Sequence, residues 1–167
     1  MKKISLLWLT FIIALTAAKA QTGWVDYKFD NKLSVKLPVQ PQKYGQNSHS
    51  ASTKDSTVCI VTMIDLKAAT HLDSAALVAM QPTAEFAAGL KASMLGQQPD
   101  VVLGDIKTDK WNGNYCYTIE GSNAAKKLKT YTFMVVVNNN LYALNCLVPE
   151  KVSTKNKEYF FTSLKIN

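Results

Sequence analysis

Lys127-Leu128-Lys129-Thr130-Tyr131-Thr132-Phe133-Met134-Val135-Val136-Val137 reads as one long strand with two apolar faces. Tyr131, Phe133, Val135 and Val137 point to one side, Met134 and Val136 to the other. A strand that is apolar on both sides is covered on both sides. This one therefore belongs in the middle of a sheet, with a layer above it and a layer below. Working outward, Asn138-Asn139-Asn140 turns the chain into a strand over Leu141–Val148, which Pro149 stops. On the other side, Asn123–Lys126 turns back to Tyr115–Gly121. Trp111-Asn112-Gly113-Asn114 is a strong hairpin signal that joins this to a strand over Val101–Lys110. The result is an antiparallel meander.

Thr57–Leu66 repeats the two-faced pattern, with Val58, Ile60 and Ile64 opposing Cys59, Val61 and Met63. Trp24–Phe29 and Leu33–Leu37 alternate around the Asp30-Asn31 turn and form a hairpin that Pro38 and Pro41 end. Residues 42–56 are polar and read as a loop with room for a short edge strand. Asp73 is placed to cap a short helix over Ser74–Met80. Pro82 breaks it, and Thr83 caps a second helix carrying Phe86, Leu90 and Met94 on one face, with Gly96 at its end. Ser153 or Thr154 starts a closing helix through Leu164 that carries Tyr159, Phe160 and Phe161. Strands and helices segregated in this way predict an α+β fold: an α/β/α sandwich around a mostly antiparallel sheet of five to seven strands.

Residues 1–20 stand apart. Met1-Lys2-Lys3, an apolar run from Ile4 to Ala18 and Ala18-Lys19-Ala20 are the three parts of a secretory signal peptide, with cleavage expected between Ala20 and Gln21. The run is shorter than the roughly 20 residues a membrane span needs. The first cysteine is Cys59, so no lipid anchor is expected at the cleavage site. The expectation is a periplasmic or secreted single domain, residues 21–167, and a monomer. The chain carries 19 basic residues, all lysine, against 12 acidic ones. Three of the lysines fall in the signal, which leaves the mature domain at +4. A mildly basic domain without the arginine fork argues against a nucleic-acid partner. Lys126, Lys127 and Lys129 read as a solvated hairpin tip.

Cys59, Cys116 and Cys146 each sit inside a strand-like run. An oxidising compartment permits one disulfide and leaves one thiol over. In the meander Cys116 is expected opposite Phe133, and Cys146 opposite Thr132 or Phe133. Two strand spacings, about 9.5 Å, would then separate them. A disulfide needs Cα atoms within about 7 Å, so Cys116–Cys146 is not expected to form. There is no Cys-x-x-Cys.

Catalytic patterns are sparse. His49 and His71 are the only histidines. His71-Leu72-Asp73 shows no third metal ligand, and capping alone accounts for Asp73. His49 lies in the polar segment and reads as exposed. The Gly-x-Ser-x-Gly elbow is absent. Asp100, Asp105, Asp109 and Glu120 sit near strand ends, where carboxylates are ordinarily solvated. Neither catalytic residues, nor a metal, nor a cofactor is expected. Trp111, Tyr115 and Tyr117 near one hairpin, with His71, are the candidate ligand surface. The same aromatics equally suit cross-strand pairs and core.

The layout also resembles PsbP-like domains. Trp24-Val25-Asp26-Tyr27 leading to Leu33-Ser34-Val35-Lys36-Leu37-Pro38 is similar to their opening hairpin. Asn140-Leu141-Tyr142-Ala143-Leu144, followed by Glu158-Tyr159-Phe160-Phe161-Thr162-Ser163-Leu164-Lys165, is similar to the close of small exported members. Leu33 and Leu164 stand where an aromatic is common. The resemblance implies the α/β/α sandwich and mostly noncatalytic roles, and it carries no functional residue over. The expected function is an exported binding or assembly-accessory domain for a protein or small ligand. The alternatives are a periplasmic hydrolase built on His71 or scattered carboxylates, and a carrier of a small apolar ligand.

Overall fold

The computed structural model describes residues 23–167; the signal segment and its Ala20–Gln21 cleavage site lie outside the described residues. The meander is its centre. β8 (Asn114–Asn123), β9 (Leu128–Val137) and β10 (Asn140–Pro149) follow one another antiparallel. Asn112 and Gly113 both have positive φ, 49° and 78°, which is what the tight turn before β8 requires. Asn138, at φ 57°, takes the same left-handed region between β9 and β10.

β5 (Val58–Asp65) pairs with the far side of β10, and β4 (Ser48–Ser52) and β3 (Gln42–Lys43) extend the sheet from it. On the opposite edge, β6 (Val102–Leu103) and β7 (Lys107–Trp111) both pair with β8. The spatial order is β3-β4-β5-β10-β9-β8-β6, with β7 continuing the last edge. This is an eight-stranded antiparallel sheet, one strand more than the upper expectation. The Val101–Lys110 strand is split at Gly104-Asp105-Ile106, where the pairing with β8 slips by one residue between Leu103–Gly121 and Lys107–Thr118. An extra residue on an edge strand bends it out of register.

Both faces of the sheet are covered, as the two-faced strands demand. Over one face lie the helices α1 (Leu66–Thr70), α2 (Ser74–Met80) and α3 (Ala84–Gln97). They close a core of Leu66, Leu77, Phe86, Tyr117, Ile119, Met134, Val136 and Leu141. Asp73 caps α2 by accepting from the Ala76 N–H at 2.8 Å, and Thr83 caps α3 by accepting from the Phe86 N–H at 3.1 Å. Asp65 caps α1 by accepting from the Ala68 N–H at 3.1 Å, so Leu66, expected as the last residue of the strand, begins this helix. α3 continues past Gly96 to Gln97, so Gly96 does not end the helix.

The other face carries the larger core. The N-terminal hairpin, β1 (Val25–Lys28) and β2 (Leu33–Leu37), does not join the main sheet. It pairs with β11 (Lys165–Ile166) in a second, three-stranded sheet laid over the first. With α4 (Lys155–Thr162), this small sheet buries Leu33, Val35, Leu37 and Phe160 against Val61, Val135, Tyr142, Leu144 and Val148. The sandwich is therefore helical on one side and mixed sheet and helix on the other. Asp30 clamps the layers. Its Oδ1 accepts from the backbone N–H groups of Lys32 and Leu33, and its Oδ2 accepts from the Tyr142 hydroxyl at 2.6 Å.

Two registers differ from expectation. Cys116 stands opposite Val135, two residues from Phe133, because the β8–β9 turn is made by residues 124–127 and Lys127 takes φ 51°. Cys146 stands opposite Tyr131. Cys116 and Cys146 are thus four residues apart along β9 as well as two strands apart. They are further from pairing than the sequence geometry implied.

Candidate functional site

The helix-covered face of the sheet is not uniform. Its apolar half, from Ile64 and Leu141 to Met134 and Val136, lies under α1–α3. Along the same faces of the same strands the other half turns polar. β4 contributes Ser48, β5 contributes Thr62, β9 contributes Thr130 and Thr132, and β10 contributes Asn145. These side chains floor a groove of about 420 Å³ between the sheet and the C-terminal end of α3. Ile60, Leu128 and Leu147 give the floor apolar edges, Met94 and Gln97 form a wall, and Tyr44 and Lys126 stand at the rim. The volume falls within the range of small-ligand sites, about 300–1,000 Å³.

The polar floor is organised in pairs. The Ser48 and Thr62 hydroxyls lie 2.8 Å apart, and the Thr132 hydroxyl donates to Asn145 Oδ1 at 2.7 Å. That bond turns the Asn145 amide so that its NH₂ donors remain available. The buried Thr130 hydroxyl has no hydrogen-bond partner among the described residues. That hydroxyl is sealed against Gly121, so the donors the floor presents to the groove are the Asn145 NH₂ group and the hydroxyls of its pairs.

Gly121 supports that floor from β8. A Cβ there would lie 2.7 Å from Thr130 Oγ1, 2.8 Å from Leu103 Cδ2 and 2.9 Å from the Val102 carbonyl oxygen. The carbonyl belongs to backbone and cannot swing away. Gly121→Ala is expected to cost about 1–3 kcal/mol by overpacking, measurable by denaturant unfolding, and to displace the Thr130 side chain. A loss under about 0.5 kcal/mol would show that the contact relaxes freely.

The four residues singled out from the sequence are not brought together. Trp111, half-buried on β7, sets its ring edge against Phe133 at 6.0 Å, on the face toward α4. Tyr115 and Tyr117 point to the opposite face. Tyr117 is fully buried, packs its ring 5.6 Å from Phe86 and donates its hydroxyl to the Gln81 carbonyl at 2.6 Å. Burial, then the neighbouring Tyr115 and Cys116, push its pKa up. Tyr115 carries the Lys110 ammonium 5.0 Å above its ring. His71 is exposed at the left-handed end of α1, φ 60°.

His49 departs from its expected exposure. It lies on β4 between the rings of Tyr27 and Phe29, at 5.5 and 5.4 Å, where it helps seat the small sheet. Lys126, Lys127 and Lys129 are exposed at the β8–β9 turn. Asp100 reaches the groove rim, while Asp105 and Glu120 line a separate groove at the β6–β8 edge with Lys107, Tyr131 and Lys157. Among the described residues no three His, Cys, Asp or Glu side chains cluster as metal ligands, and no helix is long and apolar enough to cross a membrane.

The groove residues were missed in the sequence because each sits in a run chosen for its apolar neighbours. The available signal was an interruption: Thr62 between Ile60 and Ile64, Asn145 between Ala143 and Leu147, and Thr130 and Thr132 ahead of Met134 and Val136. Polar residues on a face that must be covered mark where the cover stops.

The fold and groove together define an α+β sandwich with a cleft on its central sheet whose floor is neutral and polar and whose rim carries Asp100 and Lys126. No family model and no curated protein matches the chain. Among solved structures it is similar to cyanobacterial PsbP from Synechocystis sp. PCC 6803, with 12% identity over 87% of this chain and 93% of that one, and a TM-score of 0.49. It is also similar to a protein from Bacteroides thetaiotaomicron VPI-5482, at 11% identity, 88% coverage and a TM-score of 0.43, and spans 49% of that longer chain. A Pseudomonas aeruginosa protein of unknown function, PA94, matches at 11% identity over 75% of this chain and 82% of its own, with a TM-score of 0.39. The sandwich itself stands on the strand pairing and layers described above.

Proposed function

We propose that this chain is an exported, noncatalytic binding domain that holds a small, neutral, hydroxyl-bearing ligand in the groove over β9 and β10. The observation that carries the reading is the paired hydroxyl and amide floor, Ser48–Thr62 and Thr132–Asn145, set into a sheet face that is otherwise apolar. The floor supplies neutral donors and acceptors, and Ile60, Leu128 and Leu147 supply flat apolar contact beside them. That combination suits a ligand with hydroxyls on its edges and C–H groups on its faces. A purely apolar ligand would leave the Ser48–Thr62 and Thr132–Asn145 pairs intact but would cover the Asn145 NH₂ without a partner, at a cost of about 1–3 kcal/mol.

Nucleophilic chemistry is the less supported reading. A hydroxyl nucleophile needs a positioned base. In this floor each partnered hydroxyl meets another hydroxyl or an amide.

Titration with a panel of neutral mono- and oligosaccharides, followed by backbone amide shifts, tests the proposal. The expected perturbations centre on Thr62, Thr130, Thr132 and Asn145. The combined Thr132→Val and Asn145→Leu variant should weaken binding at least about tenfold, the loss of about one buried hydrogen bond. Perturbations mapping elsewhere, or none across the panel, would count against it. Export has a separate test. Expressed with residues 1–20 in a Gram-negative host, the protein should be recovered from the periplasm with Gln21 at its N-terminus; an intact Met1 in the cytoplasm would sink that part.

A further inference from the structure

Cys59 on β5 and Cys146 on β10 are register partners at the centre of the sheet. Both are fully buried, on the face that the small sheet and α4 cover. The backbone hydrogen bonds decide which kind of partners they are. Toward β4, Thr53 N–H donates to the Thr57 carbonyl at 2.9 Å and Met63 N–H to the Asn47 carbonyl at 3.0 Å. The alternation places the N–H and C=O of residues 57, 59, 61 and 63 toward β4. Toward β10, Leu66 N–H donates to the Asn139 carbonyl at 2.9 Å, which assigns the even residues of β5 to that side. Cys59 and Cys146 therefore form a non-hydrogen-bonded pair. Such pairs hold their Cα atoms about 4.5 Å apart with side chains on one face. Disulfides accept Cα separations of about 4.4–6.8 Å. Cys116 lies two strands from Cys146 and four residues away along β9.

We propose that Cys59 and Cys146 are a disulfide site, closed while the chain folds by exchange with a small-molecule or protein disulfide, and that Cys116 stays a thiol. The thiolate of one cysteine attacks a sulfur of the donor disulfide and releases one donor thiol. The second cysteine thiolate then attacks the protein sulfur of that mixed disulfide and releases the other. Two protein thiols are oxidised, one donor disulfide is reduced, and the two cysteine protons end on the released donor thiols. Folding is the time for this step. In the folded core the adjoining Cys146 sulfur and burial push the Cys59 thiol far up, and exchange needs a thiolate. Once formed, the bond joins β5 to β10 beneath the small sheet and closes the long segment between them, which restricts the unfolded chain.

The test is refolding of the full chain in a buffer of oxidised and reduced glutathione, followed by blocking of free thiols in denaturant and peptide mapping without reductant. The expected result is a Cys59–Cys146 linked peptide with Cys116 blocked. Oxidised protein should also melt about 10 °C higher than the same protein in reductant. Cys116→Ala should keep that difference and Cys146→Ala should lose it. Three blocked cysteines, or any bridge to Cys116, overturns the proposal, and the peptide map decides this even if Cys146→Ala does not fold. Neither outcome depends on what the groove binds.

Discussion

Phe160→Ala should lower stability by about 3–5 kcal/mol, the largest effect expected of a single side chain here. Phe160 is fully buried and is the residue by which α4 reaches the core beneath the small sheet. Its neighbours on the helix are only partly buried; Phe161 packs 6.3 Å from Phe133. Emptying the Phe160 site removes an aromatic ring between two sheets that cannot both collapse onto the gap, since each is tied by its own strand ladder. For a domain of this size the loss corresponds to a fall of about 10–20 °C in the thermal midpoint. Val78, 60% exposed on α2, is the control: Val78→Ala should stay within about 0.5 kcal/mol. A Phe160→Ala cost under about 1 kcal/mol, well short of the usual cavity penalty, would mean that α4 does not hold the second layer down.

The second large effect is at the clamp between layers. Tyr142 is fully buried on β10, and its hydroxyl donates to Asp30 at the turn of the β1–β2 hairpin. Tyr142→Phe keeps the ring and removes one donor from a carboxylate, at an expected cost of about 1.5–3 kcal/mol. The cost should depend on pH. Burial pushes Asp30 upward, but the Tyr142 hydroxyl, the Lys32 and Leu33 N–H groups and the Lys32 charge outweigh it and leave its carboxyl below the ordinary value. A depressed carboxylate adds stability that is present above its unfolded pKa, near about 3.9, and lost as pH falls through the folded value.

Tyr142 itself is pushed up to about 12 by burial and by Asp30. A raised tyrosine adds stability that is present below its unfolded pKa, about 10, and lost as pH rises toward about 12. The stability difference between wild type and Tyr142→Phe should therefore be flat from about pH 5 to 9 and shrink on both sides. Denaturant unfolding across roughly pH 3–11 reads it. A difference that did not move at either end would remove the charged hydrogen bond from the account.

The resemblance to PsbP-like domains pointed to the same sandwich that the strand ladders show, but it offered no functional residue. The candidate site came from geometry. Thr62, Thr130, Thr132 and Asn145 are unremarked in sequence because Thr is an ordinary strand residue and one Asn in a strand is no motif. They become a site because β5, β9 and β10 set them side by side on one face, and because α3 ends before it covers them. The aromatics that looked like a site were dispersed by the pleat, which sends Trp111 to one side of the sheet and Tyr115 and Tyr117 to the other.

What the sequence determined by itself was local. The two-faced pattern of residues 128–137, the Asn112-Gly113 and Asn138 turns, and the Asp73 and Thr83 caps each follow from interactions within a few residues and each is present in the structure, with Lys127 moved into the turn before β9 and Asn140 opening β10. What only the tertiary structure decided was long-range. The Trp24–Leu37 hairpin left the main sheet to pair with Lys165–Ile166, β5 docked beside β10, and the β8–β9 turn moved Cys116 by two residues. Such a shift preserves every apolar face, so hydrophobic patterning cannot detect it. For the same reason no local signal could show that Cys59 and Cys146, far apart in the chain, are cross-strand neighbours.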